Sequence, residues 1–193
     1  IYEEGLPELM KEHRNNLTYT TDYRSAYKDA DVVYIGVGTP EKKDGSANLD
    51  YVRTVAEQIA ESAEKDCVVV IKSTVPIGTN QSILALLQEK AAKGVTFEIA
   101  SNPEFLSQGT AVKDTLHASR IVIGTQTPHA RKVLTDIYEA FGQPIVNTDI
   151  KSAEMIKYAS NDFLALKISY MNEIANLCEI TGADVQDVAR GMG

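Results

Sequence analysis

Asp31-Val-Val-Tyr-Ile-Gly-Val-Gly38 and Cys67-Val-Val-Val-Ile-Lys-Ser-Thr74 decide the fold. Each is a run of β-branched and apolar residues without polar alternation, the pattern of a strand covered on both faces and hence of a parallel sheet wrapped by helices. Shorter runs of the same kind recur at 96–100, 120–124 and 144–147. Between them, 50–63, 79–92 and 128–141 carry apolar residues at helical spacing, with Asn48 or Asp50, Thr79 or Asn80, and Thr127-Pro128 available as caps or first-turn signals. Strand and helix alternate, and right-handed crossovers then give an α/β fold, a partial doubly wound Rossmann-like parallel sheet.

Near Asp149 the pattern changes. Residues 150–180 contain no Gly or Pro and string together Ala, Leu, Ile, Met, Phe and Lys, which predicts one long helix. Its first half is apolar on more than one side, as expected of a helix buried between layers or subunits. Thr181-Gly182 ends it, since Gly suits the left-handed position after a helix, and 184–190 can start another short helix. The expected division is an α/β part over 1–148 and the opening of an all-helical part over 149–193.

The composition narrows the function. With 44% hydrophobic and 24% charged residues in 193, the chain is predicted to fold around an ordinary core. A surplus of 27 acidic over 19 basic side chains, net charge −8, argues against a nucleic-acid partner. No apolar run approaches the ~20 residues that cross a bilayer, so no membrane association is expected. Cys67 and Cys178 are too few for a disulfide scaffold and lack zinc-ligand spacing, which points to a reducing cytoplasm and no metal. The chain opens Ile1-Tyr2-Glu3-Glu4, without an initiator Met, and reads as a piece of a longer protein.

Ligands of an open parallel sheet bind beyond the carboxyl ends of its strands. Three such ends stand out. Gly38-Thr39-Pro40 offers close backbone approach and a hydroxyl, or is simply a turn. Ser73 and Thr74 precede a helix whose free N–H groups favour a polar ligand, or merely satisfy backbone groups at the strand exit. Ser101-Asn-Pro-Glu-Phe-Leu-Ser-Gln108 puts a carboxylate directly after a buried strand; Glu104 faces a pocket with Phe105 and Leu106, or it caps a helix while they close the core. On the long helix, Lys157 and Asn161 are four residues apart and share a face. An ammonium among Ile156, Tyr158 and Ala159 is costly unless paired or working, Glu154 being the local candidate for an ion pair. An ammonium beside a carboxamide is also what a developing oxyanion requires.

Taken together and in order, Gly36-Val-Gly-Thr-Pro40 with Asp44-Gly-Ser-Ala-Asn48, Lys72-Ser-Thr-Val-Pro-Ile-Gly-Thr79, Ser101-Asn-Pro-Glu-Phe-Leu106, and Ala153-Glu-Met-Ile-Lys157 through Asn161 to Asn172-Glu173 resemble the UDP-glucose/GDP-mannose dehydrogenase family over essentially the whole chain. The resemblance implies an NAD-dependent oxidoreductase that oxidises the C6 hydroxyl of a nucleotide sugar twice, through cysteine-bound thiohemiacetal and thioester intermediates. It implies Lys157 and Asn161 as oxyanion stabilisers, Thr74 near the nicotinamide and positioning water, and Glu104 assisting thioester hydrolysis. Thr39, Thr74 and Gln108 would contact NAD. Glu104, Phe105, Leu106, Ser107 and Gln108 would wrap the UDP-sugar together with Lys157 and Asn161. The long helix would pack across a two-fold axis in a homodimer.

Two departures qualify the resemblance. Ser107-Gln108 stand where the family often has Arg-Glu or Ala-Glu, so a second carboxylate has no counterpart. No Gly-x-Gly-x-x-Gly occurs to seat a pyrophosphate, and Cys67 and Cys178 both read as small core residues rather than as the nucleophile. The first βαβ and the nucleophile are expected outside this stretch, which by itself should not complete the oxidation. Two further readings stay open: a dehydrogenase for a UDP-N-acetylhexosamine or GDP-mannose, and a non-catalytic nucleotide-binding or dimerisation module.

Overall fold

A computed structural model describes residues 2–193. Two short helices, α1 (Leu6–Glu12) and α2 (Tyr23–Tyr27), precede strand β1 (Val32–Ile35). There follow α3 (Asp50–Ser62), β2 (Cys67–Ile71), α4 (Thr79–Lys90), β3 (Phe97–Ser101), α5 (Ala111–Leu116), β4 (Ile121–Thr125), α6 (Pro128–Glu139) and β5 (Ile145–Thr148). The chain ends in α7 (Ile150–Thr181) and α8 (Val185–Met192). The five strands lie in chain order in one sheet, and the long helix has the expected extent, 32 residues or about 48 Å at 1.5 Å per residue.

Strand directions follow from helix lengths. β1–β2, β2–β3 and β4–β5 are parallel pairs, and each is bridged by a helix of 12 or 13 residues, long enough at roughly 18–20 Å to carry the chain back along a strand. Between β3 and β4 lies only the six-residue α5, about 9 Å long. The chain does not return, and β4 runs antiparallel to β3 with Ala100 opposite Thr125 and Ser101 opposite Gly124. The sheet is thus parallel on either side of one antiparallel junction.

Apolar side chains divide between two faces by the period of two. Val33, Ile35, Val69, Ile71 and Ile99 pack with Val52, Ala56 and Ile59 of α3 and Ile83 and Leu87 of α4. Val68, Val70, Ala100, Ile121 and Ile123 pack with Ala130 and Leu134 of α6 on the other face. All five residues of β2 are buried, as its unbroken apolar run predicts, and each fully buried Val or Ile adds about 1.5–3 kcal/mol of hydrophobic stabilisation.

The caps partly depart from expectation. Thr127 accepts a hydrogen bond from the Ala130 N–H at 3.2 Å with Pro128 in the first turn of α6, and Asp184 caps α8. Neither Thr79 nor Asn80 caps α4: its cap position is Gly78 at φ 93°, without a side-chain acceptor of its own. The described residues form two compact units that part between Met155 and Ile156. In the second, Phe163, Leu164, Leu166 and Ile168 of α7 are exposed.

Candidate functional site

The periods that build the core also assemble a polar group on its second face. Tyr34 shares the parity of Val32, Lys72 that of Val68 and Val70, and Asn102 that of Ala100. Tyr138 stands four residues beyond Leu134 on α6 and so on the same side of that helix. These side chains line a cavity of about 650 Å³ beyond the carboxyl ends of β2 and β3, together with Glu104, Phe105, Leu106, Ser107, Arg120, Ile137 and Phe141.

Asn102 is the hub. It is 1% exposed, its Nδ2 donates to the Val122 carbonyl at 2.8 Å, and its Oδ1 accepts from Lys72 Nζ at 3.1 Å and from the Tyr138 hydroxyl. A buried carboxamide whose acceptor and donor are both engaged is fixed in orientation. Burial holds the Tyr138 phenol above its usual range, and burial together with the hydrogen bond to Tyr138 does the same for Tyr34, so both stay neutral donors at physiological pH. The Arg120 guanidinium lies 4.2 Å from the centre of the Phe105 ring, a cation–π contact that fixes one wall.

The loop following β3 is held by carboxylates. Glu104 Oε2 accepts from the Leu106 N–H at 2.7 Å. Asp114 Oδ2 accepts from the Ser107 N–H at 2.8 Å and the Thr110 hydroxyl at 2.9 Å, and these two bonds hold the Asp114 carboxyl below its ordinary range. From the far end of the chain, Glu3 accepts from the Gly109 and Ala111 N–H groups, both at 3.0 Å. Gly109 lies at φ 90°, a left-handed turn that glycine adopts without strain.

At the ends of β1 and β2 the two hydroxyl-bearing turns are tied together. The Thr39 hydroxyl donates to the Thr74 carbonyl at 2.8 Å, and the Ser73 hydroxyl to the Val37 carbonyl at 2.6 Å. The backbone-satisfying role weighed for the Ser-Thr pair is therefore the one Ser73 performs. Thr39 and Thr74 are half-buried neighbours.

Of the residues singled out from the sequence, Glu104, Phe105, Leu106 and Ser107 share one cavity. Gln108 is exposed and outside its lining. Lys157 and Asn161 belong to the second unit, where Lys157 is buried and partnered and Asn161 exposed. Glu154 uses both carboxylate oxygens on Gly78 and Asn80 of α4. Burial pushes the Cys67 thiol up to about 11, and Cys178 is buried too. Among the described residues no cluster of His, Cys, Asp and Glu suits a metal ion, and no helix is long and apolar enough to cross a membrane.

Tyr34, Lys72, Asn102, Arg120 and Tyr138 are site residues that the sequence reading does not single out. The parity of Tyr34 within an apolar strand was a usable signal, but Tyr138 looks like any amphipathic-helix residue until the sheet it faces is known.

Helices on both faces of a sheet, a cavity and paired hydroxyls at the strands' carboxyl ends define a Rossmann-type nucleotide-binding α/β protein. The sequence pattern of the UDP-glucose/GDP-mannose dehydrogenase family, NAD binding domain, matches residues 1–142, and that of the family's central domain matches 151–193. The chain belongs to the UDP-glucose/GDP-mannose dehydrogenase family. It is 50% identical over 195 residues to UDP-glucose 6-dehydrogenase YwqF of Bacillus subtilis, covering 100% of this chain and 44% of the relative. A solved UDP-glucose dehydrogenase from Pyrobaculum islandicum superposes with TM-score 0.95 at 39% identity over 100% of this chain and 46% of that one. A GDP-mannose dehydrogenase from Pseudomonas aeruginosa gives TM-score 0.93 at 36% identity over 98% and 45%. The chain thus spans less than half the length of these relatives.

Proposed function

We propose that this chain is part of an NAD-dependent UDP-glucose 6-dehydrogenase, which converts UDP-glucose, two NAD and water into UDP-glucuronate and two NADH through cysteine-bound intermediates. The observation that carries the reading is the cavity walled by Glu104-Phe-Leu-Ser107 at the carboxyl edge of the sheet. Its aromatic and aliphatic walls with a few fixed polar groups suit a nucleotide sugar. In this reading Lys157 and Asn161 stabilise the oxyanion, Thr74 holds the attacking water, and Glu104 accepts its proton during thioester hydrolysis.

NAD supplies the hydride acceptor when bound. The residues assigned to it here are Thr39, Thr74 and Gln108, and the first two fit hydroxyl and amide groups of a dinucleotide because they sit together beyond β1 and β2. No residues of this chain form the glycine fingerprint that seats a pyrophosphate. Neither cysteine suits the nucleophile, since both are buried and Cys67 is held protonated. The 193 residues by themselves are therefore assigned no turnover. The exposed apolar face of α7 supports a homodimer built on that helix, and the reading carries a cytoplasmic location.

The test is NADH formation by the full-length protein with UDP-glucose. Two NADH per UDP-glucose and no free aldehyde are expected; absence of NADH with UDP-glucose refutes the reading. Ser107-Gln108 favour a second reading, a different nucleotide sugar, which turnover of GDP-mannose or a UDP-N-acetylhexosamine in preference to UDP-glucose would establish.

A further inference from the structure

Helix α4 begins on Gly78, which has no side chain to satisfy the free N–H groups of the first turn. The acceptor comes from 76 residues further along the chain. Glu154 Oε2 takes the Gly78 N–H at 2.6 Å, and Oε1 takes both the Asn80 N–H at 2.9 Å and Asn80 Nδ2 at 2.7 Å. Glu154 is 2% exposed and Asn80 fully buried. A carboxylate so enclosed is tolerated because three donors and the positive end of a helix dipole surround it.

This carboxylate fixes more than a helix end. The turn from Ser73 to Gly78 joins β2 to α4 and is anchored at both ends, the Pro76 carbonyl between them being held by the Thr79 N–H and hydroxyl. At its upstream end the Thr74 carbonyl receives the Thr39 hydroxyl and the Ser73 hydroxyl reaches Val37. At its downstream end the anchor is Glu154. Between them lie Val75, Pro76 and Ile77, too few residues to absorb a displacement of Gly78 without moving Thr74. Resting on the assignment of Thr39 and Thr74 to NAD, we propose that Glu154 is a positioning residue for the cofactor: it sets the height of the Thr74 turn, and thereby the affinity for NAD, without touching the cofactor itself.

The experiment compares the full-length wild-type protein with E154Q, E154D and E154A, measuring NAD affinity by titration and the KM values and kcat of the oxidation. Gln keeps one acceptor oxygen for Asn80 but turns an amide N–H toward the Gly78 N–H; Asp is too short to reach both. The expected result is NAD binding and KM for NAD weakened about tenfold in E154Q and further in E154A, with KM for the nucleotide sugar within about twofold. A purely structural role lowers the active fraction, and so apparent kcat, while leaving KM for NAD at the wild-type value. That outcome overturns the proposal. If E154A does not fold, E154Q decides. Failure of the wild-type protein to bind NAD overturns this proposal together with the cofactor assignment, whereas NAD binding that E154Q leaves unchanged overturns this proposal alone.

Discussion

Replacing Gly124 by Ala tests how the first turn of α7, residues 150–155, is seated on the sheet. Gly124 lies in β4 opposite Ser101 of β3, where the first turn of α7 crosses the strand. A Cβ built there meets the Ala153 methyl group and stands 2.9 Å from the Asp149 carbonyl oxygen and 3.0 Å from Ile150 Cα. Carbon contacts are repulsive inside about 3.5 Å, and two of the three neighbours are backbone atoms, which cannot rotate aside. The helix or the strand must move by roughly half an ångström or more, and overpacking of this kind costs about 1–3 kcal/mol. With backbone on one side of the contact we expect about 3 kcal/mol. For a protein of this size that lowers Tm by roughly 6–12 °C, read by thermal and urea unfolding of the 193-residue chain. A153G removes one of the three obstacles at a cost of about 1 kcal/mol for glycine in a helix. The double mutant should therefore be more stable than the sum of the two effects by at least about 1 kcal/mol. A G124A protein within about 0.5 kcal/mol of wild type, or strictly additive effects, refutes the packing argument.

Three further outcomes follow from the site. E3A should speed amide exchange at Gly109 and Ala111 about tenfold while leaving the amides of β2 untouched; unchanged exchange at those two positions rules the tether out. Asp114 gains its hydrogen bonds as the carboxylate, so its contribution to the loop is complete above its unfolded pKa, near the ordinary aspartate value of 3.8, and is lost as pH falls through its lower folded value. Chemical shifts of Ser107 and Thr110 should accordingly report a transition whose midpoint lies below 3.8, and a midpoint above that pH contradicts the hydrogen bonding. Cys67, its thiol raised to about 11 by burial, should resist alkylation at neutral pH in the folded chain and react on unfolding; prompt labelling of native protein at Cys67 refutes its place in the core.

Much of the fold was legible because burial on both sides of a strand leaves an unmistakable composition. Cys67-Val-Val-Val-Ile71 has no position at which a polar residue is tolerated, and it is buried throughout. The 32 residues of α7 were equally clear, since nothing between Ile150 and Thr181 interrupts a helix. The antiparallel junction was not. It depends on the length of α5, whose six residues carry too little periodicity to separate from loop, and which owes its N-terminal satisfaction to Glu3 over a hundred positions away. The cap of α4 was hidden for the same reason: Thr79 and Asn80 have the chemistry of caps, yet Thr79 turns its hydroxyl to the Pro76 carbonyl and Asn80 donates to Glu154.

The candidate site shows a similar split between local and non-local information. Glu104, Phe105 and Leu106 stood out because large apolar residues beside a carboxylate are unusual just past a strand, and they do wall the cavity. Its polar floor had to wait for the sheet. Lys72 and Asn102 lie 30 residues apart and meet only because β2 and β3 pair in the register that sets Ile71 beside Ser101. Tyr138 joins them from another 36 residues on, because Leu134 and Ala130 seat α6 on the face to which even-numbered residues of β2 point. Shifting either strand by one residue would turn Lys72 or Asn102 into the opposite core, so the same register that buries Val68, Val70 and Ala100 also assembles the polar floor. Selection for the cavity and selection for the core are, at these positions, one constraint, which is why an unremarkable apolar alternation carries the placement of the site.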